Sequence, residues 1–420
     1  TYNNQEKFNE HALIEGENIS STLALVLDRK SDIELHYWSS DFWREIAGNR
    51  TIINSTAEQT DKSKRFLFSV DRKYNNLKLK LKEALLYDNL YYDDDPINIH
   101  SYSEVETYIS EFNVNYNAHN FYTDISLIHT ENNLNNSSYV GLFKKEKSNS
   151  IFTSISYRNK MISTEFSLRQ EYNSEIEVPL IPSVSAEVNH HKLKLRARVN
   201  KNFRAPTFND RFWIGFGANG NPNLKAENGI NKEIGLDYSS LKLSNSITFF
   251  SLKINDWILW KRQDNGNWMP ENLMEVLSEG VEWKTVLNTQ YIKIKIYQEY
   301  NYQYNLSTNL KGISNLDASV GKQLIYTPKH KANITTVCGY KNWSYKVNNS
   351  YVGSVFTSSD NLNELESFVL TNMSVKYNVK TIYSSFCFSV KNVFNTEYQS
   401  YQNYPNPGRE FLLQLNIILK

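Results

Sequence analysis

Apolar and polar residues alternate along most of the chain. Three stretches show the pattern most clearly: Asn-Leu-Lys-Leu-Lys-Leu-Lys at 76–82, Lys-Leu-Lys-Leu-Arg-Ala-Arg-Val at 192–199 and Tyr-Ile-Lys-Ile-Lys-Ile at 291–296. Successive side chains of an extended strand point to opposite faces, so the pattern predicts strands with one cationic and one apolar face. If the apolar face contacts lipid, a one-residue slip would place cations in hydrocarbon at about 2–4 kcal/mol each, which fixes the register.

The breaks between these strands alternate strictly between tight turns and longer connections. The tight turns are expected at Arg29–Lys30, Lys73–Asn75, Asn117–His119, Asn159–Lys160, His190–His191, Ser240–Leu241, Asn288–Gln290, Lys341–Asn342 and Val379–Lys380. The longer connections are expected at 44–62, 89–100, 131–148, 173–179, 203–228, 256–275, 304–325, 358–362 and 393–408. One rim of a transmembrane barrel has short periplasmic turns and the other has long extracellular loops, and this rhythm matches it.

Strand length points the same way. The segments between breaks run to about 10–16 residues, whereas globular strands usually have about 5 or 6 and a tilted membrane strand needs about 9–11. About 19 strands are predicted by this count. Soluble half-buried sheets also alternate, so a soluble sandwich or propeller stays open at this point. Aromatic clusters at strand ends fit either membrane-interface girdles or ordinary cross-strand packing.

Composition further limits the classes of protein that the sequence can encode. The 46 basic and 45 acidic residues give a net charge of +1, which does not favour nucleic acid as a partner. No apolar run of about 18 residues occurs, which excludes a helical membrane span. Mean hydropathy is −0.56, a value that a barrel tolerates because only alternate residues meet lipid. The first residues lack the features of a signal peptide, so we expect the numbering to begin inside a mature protein or a fragment.

Two cysteines, Cys338 and Cys387, fall in separate predicted strands with two other strands between them. A disulfide requires Cα atoms within about 7 Å, so two free thiols are expected.

Two motifs distinguish this sequence from a generic β-sheet protein. Residues 203–213 read Phe-Arg-Ala-Pro-Thr-Phe-Asn-Asp-Arg-Phe-Trp, followed by Gly-Asn-Pro-Asn-Leu-Lys-Ala-Glu at 220–227 and Glu-Ile-Gly-Leu-Asp-Tyr at 233–238. The last 30 residues hold Asn-Val-Phe, then Tyr398, then Pro-Gly-Arg at 407–409. Together these resemble the mid-barrel and C-terminal signatures of TonB-dependent outer-membrane receptors. The chain departs from the family at its end, where Lys420 replaces the usual aromatic residue.

Three further segments, at 255–283, 39–48 and 323–330, are similar to cobalamin-receptor-like members of this family from Bacteroidetes. The resemblance covers residues 17–420. It implies an all-β, transmembrane antiparallel β-barrel with about 19 of the family's 22 strands, forming one domain over residues 1–420. It also implies that the plug domain with its TonB-contacting box lies outside this chain.

The function that the resemblance implies is import of a scarce ligand by a TonB-dependent transporter in the bacterial outer membrane, with cobalamin favoured. The alternative within the family is a ferric siderophore or haem receptor. Outside it, a passive porin or a soluble β-rich binding protein stays open. Expected partners are outer-membrane lipid, TonB through the missing plug, the small-molecule ligand and a surface lipoprotein lid. No nucleophile-elbow pattern or metal-ligand spacing is present, so no enzyme activity and no catalytic residue are predicted.

Candidate site residues fall into three groups. Turn-shaping residues of the family motifs are Arg204, Pro206, Thr207, Gly220, Asn221, Pro222, Glu227, Pro407, Gly408 and Arg409. Loop aromatics that could contact ligand are Trp213, Phe216, Trp260, Trp268, Tyr401 and Tyr404. Hard oxygen ligands for Ca²⁺ are Asp93, Asp94 and Asp95, which otherwise form a solvated acidic loop tip.

Overall fold

A computed structural model of the chain describes residues 11–47, 55–215, 217–263, 266–312, 317–379 and 384–417. The chain divides into two compact units. Unit 1 comprises Thr1–Ser185, Asn200–Gly229 and Asn255–Leu273, and unit 2 comprises Ala186–Val199, Ile230–Ile254 and Met274–Lys420. No helix in the described part of the chain is long and apolar enough to cross a membrane.

Unit 1 is built on eight long antiparallel strands. They are β1 (Ile14–Asp28), β2 (Ser31–Glu45), β3 (Glu58–Tyr74), β4 (Leu77–Asp94), β5 (Ile99–Ala118), β6 (Phe121–Asn136), β7 (Phe143–Arg158) and β8 (Ile162–Asn173). Each of them pairs with the next along the chain. Unit 1 also holds a 3-10 turn (Asp95–Ile97), one short helix, α1 (Phe208–Phe212), and the two-residue strands β11 (Ile214–Gly215) and β12 (Ala218–Asn219).

Five strands contribute residues to both units. They are β9 (Ile181–His190), β10 (Leu193–Arg204), β13 (Glu227–Ser239), β14 (Leu243–Arg262) and β15 (Trp268–Tyr291).

Unit 2 continues with six long or medium strands and two small hairpins. The strands are β16 (Ile294–Asn309), β17 (His330–Tyr340), β18 (Trp343–Val352), β21 (Phe368–Val379), β22 (Ser384–Lys391) and β25 (Glu410–Ile417). The hairpins are β19 (Val355–Phe356) with β20 (Glu364–Leu365), and β23 (Gln399–Tyr401) with β24 (Tyr404–Pro405). β15 to β18, β21, β22 and β25 pair in that order, all antiparallel.

The register gives each ladder an apolar face and a polar face. In unit 1 Leu81 lies opposite Val70 and Phe112, whereas its neighbour Lys82 lies opposite Ser69 and Glu111. Directly opposite residues share a face, so Leu77, Leu79 and Leu81 of β4 line the apolar face of unit 1 and its lysines the polar face. The polar-face cations are paired: the Nζ atoms of Lys80 and Lys82 lie 3.3 Å and 3.0 Å from Asp71 and Glu111.

Burial is inverted relative to a soluble protein. Among the described residues, twenty polar or charged side chains are buried, compared with ten hydrophobic ones. Leu193 is 46 % exposed and Ile294 is 39 % exposed, so the alternating apolar residues do not pack into a core. An exposed apolar surface of this extent needs a hydrophobic environment to cover it.

Most sequence expectations for the strands are confirmed. Nineteen of the described strands have eight or more residues, as predicted, and the other six have two or three. Cys338 in β17 and Cys387 in β22 are free, with β18 and β21 between them. Cys338 shares a face with Ile296, whereas Cys387 lies opposite Lys376 on the polar face.

Several boundaries are wrong, because strands extend into the connections predicted at 89–100, 131–148 and 256–275. The turn predicted at Asn288–Gln290 lies at 292–293, where Ile292 has φ 54°. The connection predicted at 256–275 is much shorter, because β14 continues to Arg262 and β15 begins at Trp268. In both cases Asn and Asp, which usually mark turns, lie inside paired strands.

Candidate binding rim

The long connection between β10 and β13 folds around helix α1. Thr207 caps the helix: its Oγ1 accepts a hydrogen bond from the Asp210 backbone N–H at 3.1 Å, and the Asp210 carboxylate accepts one from the Thr207 N–H at 3.0 Å. This reciprocal capping box satisfies two donors that a helix start leaves free. Pro206, just before the cap, is buried and holds the backbone extended.

Glu227 lies at the centre of a charged network and is only 5 % exposed. The Arg204 guanidinium donates to both of its carboxylate oxygens, with Nε at 2.8 Å from Oε2. The backbone N–H of Ile258 donates to Oε1 at 2.9 Å. A bidentate arginine–carboxylate pair fixes geometry as well as charge. The first motif therefore joins the end of β10, the start of β13 and β14.

Asp210 makes a second connection to β14. Its Oδ1 accepts a hydrogen bond from the indole Nε1 of Trp260 at 3.0 Å, and Arg204 Nη1 lies 3.8 Å from Oδ2. Trp260, predicted as a ligand aromatic, therefore also holds the helix in place.

Arg211 fixes the other side of α1. It is 4 % exposed and forms an ion pair with Glu146 on β7. Its guanidinium lies 5.0 Å from the ring centroid of Phe208 and 4.9 Å from that of Phe212. Aromatic rings near a guanidinium attract it through their quadrupoles, so this cation is held by both charge and aromatic contacts.

Tyr139 completes the packing against α1. Its hydroxyl donates to Asn209, and its ring centroid lies 6.3 Å from that of Phe212. Burial raises the pKa of Tyr139 to about 12. This tyrosine lies in the β6–β7 connection, so the rim of unit 1 ties two loops into one packed structure.

Gly220 and Asn221 bring the second half of the motif onto α1. A Cβ at Gly220 would lie 2.6 Å from the carbonyl carbon of Arg211, so only glycine fits. Gly220 does not have a positive φ, so the requirement for glycine comes from the close backbone approach. Asn221 donates its N–H to the Asp210 carbonyl at 2.8 Å and its Nδ2 to the Pro270 carbonyl at 3.1 Å. Pro222 follows as the first residue of an exposed turn.

We call these residues, 204–227 with Tyr139, Glu146, Trp260 and Pro270, the motif cluster. The predicted ligand aromatics of unit 1 lie in or beside it. Trp213 ends α1 and is half-buried, and its backbone forms a bridge with Tyr139. Trp268 is 48 % exposed and pairs with Ala218. Phe216 lies outside the described residues. Trp268 is thus the most accessible of the three described tryptophans.

In unit 2, residues 392–409 form a loop, here called the C-terminal loop. Tyr401 stacks on Tyr326 with centroids 4.0 Å apart and an interplanar angle of 9°. Tyr404 approaches Tyr401 edge-on at 6.4 Å. Tyr401 and Tyr404 are 56 % and 50 % exposed, so this aromatic group is open to solvent.

The Pro-Gly-Arg segment joins the C-terminal loop to β25. Asn395, with φ 54°, accepts the Arg409 N–H at 2.9 Å on its side-chain oxygen, and a Cβ at Gly408 would meet that oxygen at 2.6 Å. Pro407 precedes this contact. These residues lie at the loop-to-strand entry.

The acidic group lies at the β4–β5 connection. His100 Nδ1 lies 2.9 Å from Asp93, and its Nε2 lies 3.9 Å from Asp95. Asp94 precedes the 3-10 turn without a side-chain cap bond. Within the ranges that the structure describes, no three His, Cys, Asp or Glu side chains converge as a metal site. The calcium site stays a prediction.

Sequence reasoning missed Tyr139, Glu146, Asp210 and Arg211. The Thr-x-x-Asp spacing at 207–210 is a capping signature that could have identified Asp210. The Arg211–Glu146 pair joins residues 65 positions apart, so no local sequence pattern predicts it. In the motif cluster the described carboxylates of Glu146, Asp210 and Glu227 all face arginines. Its accessible surface therefore combines aromatic and polar groups with the half-exposed Arg204 and the exposed Lys225, which suits binding of a small molecule.

Comparison with known proteins agrees with this architecture. Residues 24–393 match the family model for the TonB dependent receptor-like β-barrel. A vitamin B12 transporter BtuB from Photobacterium profundum is 30 % identical over 224 residues, which cover 52 % of this chain and 34 % of that protein. The match therefore spans about a third of that relative's length.

Two solved structures share the fold. The FrpB iron transporter from Neisseria meningitidis has a TM-score of 0.79 at 13 % identity, covering 96 % of this chain and 71 % of its own. A mutant of the ferric enterobactin receptor PfeA from Pseudomonas aeruginosa has a TM-score of 0.78 at 16 % identity, covering 96 % and 69 %. A soluble sandwich or propeller is thereby excluded, and the fold class is an all-β, antiparallel transmembrane β-barrel of the bacterial outer membrane. The chain belongs to the TonB-dependent receptor-like β-barrel family.

Proposed function

We propose that this chain is the barrel portion of a TonB-dependent transporter that imports cobalamin across the outer membrane. The observation that carries the ligand assignment is the sequence similarity to a vitamin B12 transporter over half of the chain. The iron transporters share the fold at much lower identity, and likeness at that level speaks for the fold alone.

The rim supports a binding role by its construction. The motif cluster is held by ion pairs with buried carboxylates and by capping bonds, so the exposed Trp268, which pairs with Ala218 of the cluster, is presented on a rigid base. Rigid placement lowers the ordering cost of binding. In the C-terminal loop the exposed pair Tyr401 and Tyr404 offers flat aromatic surface of the kind that a large ring system stacks on.

Competition binding on the full-length protein tests the proposal. Cyanocobalamin, ferric siderophores and haem are each titrated against the purified protein, and the proposal expects cobalamin to bind most tightly. Tighter binding of a ferric chelate or haem would replace cobalamin by that ligand and leave the transporter class intact. Uptake that persists without TonB would instead point to a passive porin.

The partners that the family implies add further proposals. TonB would act through the plug domain, and a surface lipoprotein would cover the extracellular loops. Calcium would bind at Asp93, Asp94 and Asp95, three carboxylates close together in one loop. Calorimetric titration with CaCl₂ tests this last proposal: heat of binding should vanish in Asp93→Asn/Asp95→Asn, and absence of heat in the unmodified protein would refute it.

A further inference from the structure

The apolar face of unit 1 contains one carboxylate in a place where hydrocarbon is expected. Along β4 the residues of that face are Leu79, Leu81, Glu83 and Leu85. Glu83 lies directly opposite Phe68 on β3 and Ser110 on β5. Ionisable side chains are rare on lipid-facing surfaces because their desolvation is costly, and they generally have a specific partner.

A groove lies beside this carboxylate. Its volume is about 420 Å³, and its walls come from β1 to β5. The apolar-face residues that line it include Leu23, Leu35, Phe66, Leu85 and Tyr108. Leu23, Leu35 and Phe66 are 53 %, 45 % and 44 % exposed. The groove is therefore an open apolar channel, continuous with the surface that faces lipid, with an acceptor at one side.

The carboxylate is only partly satisfied by protein. Tyr108 donates its hydroxyl to Oε2, and Ser110 donates its hydroxyl to Oε1 at 2.8 Å. A carboxylate has about four lone-pair sites, so each oxygen retains room for one more donor. Because the surroundings are apolar, such a donor has to come from whatever fills the groove.

Depth decides the chemistry of that donor. Tyr108 lies opposite Leu85 on the same face, two residues from the level of Glu83 toward the long-connection end, and is 41 % exposed. For a rise of about 3.3 Å per residue and a tilt of about 40°, this separation corresponds to roughly 5 Å along the membrane normal. Interfacial tyrosines lie at the headgroup level, so Glu83 lies just below the headgroups, at the top of the acyl chains. A donor at this depth belongs to an acyl chain.

We propose that this groove binds a membrane lipid whose acyl chain carries a hydrogen-bond donor near its top, an amide N–H or a hydroxyl, with Glu83 as the acceptor. The chain fills the groove between β1 and β5, and the donor completes the hydrogen bonding of the carboxylate. The proposal concerns the lipid-facing surface and does not depend on which ligand the rim binds.

Two lipids with the same headgroup provide the test. Sphingomyelin has an amide N–H and a hydroxyl at the top of its chains, whereas phosphatidylcholine has only esters. Each is titrated against the purified full-length protein in detergent, and bound lipid is counted by native mass spectrometry. One hydrogen bond to a charged group predicts about tenfold tighter binding of sphingomyelin. Equal binding of the two lipids by the unmodified protein would overturn the proposal.

Variants locate the effect. Glu83→Leu should abolish the preference, and Glu83→Gln should retain part of it because an amide oxygen still accepts. Thr153→Val is the matched control, since Thr153 lies on the same face opposite Ile125 on β6, away from the groove. It should keep the full preference. An unchanged preference in Glu83→Leu would place the lipid elsewhere and refute the site, and Glu83→Gln decides the question if the leucine variant does not fold.

Discussion

The motif cluster of unit 1 and the C-terminal loop of unit 2 are built on different principles. In the motif cluster, one buried arginine–carboxylate pair, a second pair whose carboxylate is buried, and a capping box hold α1 against β7 and β14. The C-terminal loop is flanked by a surface ion pair, Lys391 at the end of β22 with Glu410 at the start of β25, and its shape comes from asparagines with positive φ and a stacked tyrosine pair. Several independent contacts hold the motif cluster rigid, whereas the C-terminal loop exposes its aromatic side chains. The difference separates residues that build the rim from residues that are free to contact ligand.

The largest expected effect comes from breaking the buried pair of the motif cluster. Arg211→Met leaves the Glu146 carboxylate, 12 % exposed, without its cation. We expect a loss of about 3–5 kcal/mol in the free energy of unfolding, measured by urea titration in detergent. The double variant Arg211→Met/Glu146→Met should recover part of this loss, since no lone charge stays buried.

The matched control is the exposed pair of the C-terminal loop. Glu410→Gln removes the partner of Lys391, and both side chains are about half exposed. Its cost should stay below about 1 kcal/mol. Equal costs for the two pairs would remove the distinction between a rigid and an open region.

Alanine substitution of one glycine in each region compares how well the motif cluster and the C-terminal loop accommodate an added methyl group. In Gly220→Ala the new methyl group would meet the Arg211–Phe212 backbone at 2.6 Å, which cannot move without displacing α1. We expect a loss of about 2 kcal/mol. In Gly408→Ala the nearest atom is the Asn395 side-chain oxygen, which can rotate away, so the loss should be about 1 kcal/mol or less. Thermal unfolding of both variants measures the difference, and the reverse order would contradict it.

Substitutions in the C-terminal loop should change ligand affinity, whereas substitutions in the motif cluster should change stability. Tyr401→Ala removes an exposed, stacked ring without leaving a buried charge, so stability should change little while cobalamin affinity falls by about tenfold. Trp260→Phe, by contrast, removes the hydrogen bond to Asp210 and should lower stability. Fluorescence titration and urea unfolding separate the two readouts. Unchanged affinity in Tyr401→Ala would exclude this ring from the binding surface.

The smallest effect is a pH dependence confined to the motif cluster. Burial raises the pKa of Tyr139 from an ordinary 10 to about 12, so the folded state holds this proton more tightly than the unfolded state. The associated stability is fully present below pH 10 and is lost as the pH rises toward 12. Tyr139→Phe should flatten the stability profile in this window, as followed by unfolding at fixed pH. An unchanged profile would mean that the phenol is accessible.

The sequence predicted the strands well because their signal is local. Alternation at 76–82 is enough to assign faces to β4, and the lysines do pair with carboxylates on the polar face. Contacts that join distant segments could not be predicted in this way. Arg211 meets Glu146 from another loop, and Gly220 is required by the backbone of α1, which is too short at five residues to show a helical period. Trp260 was predicted to contact ligand. Its hydrogen bond to Asp210 could not be predicted, because it also joins residues that are distant in the sequence.

The central claim, that alternate residues of each strand contact hydrocarbon, can be measured along β17. Nitroxide labels are placed one at a time at 332–338 in a Cys387→Ser background, with native Cys338 replaced by serine wherever another position is labelled. Collision with oxygen, which concentrates in hydrocarbon, should peak at Ala332, Ile334, Thr336 and Cys338 and fall at the positions between them, with the reverse order for a water-soluble nickel chelate. Uniform accessibility, or oxygen maxima at Asn333 and Thr335, would contradict the account.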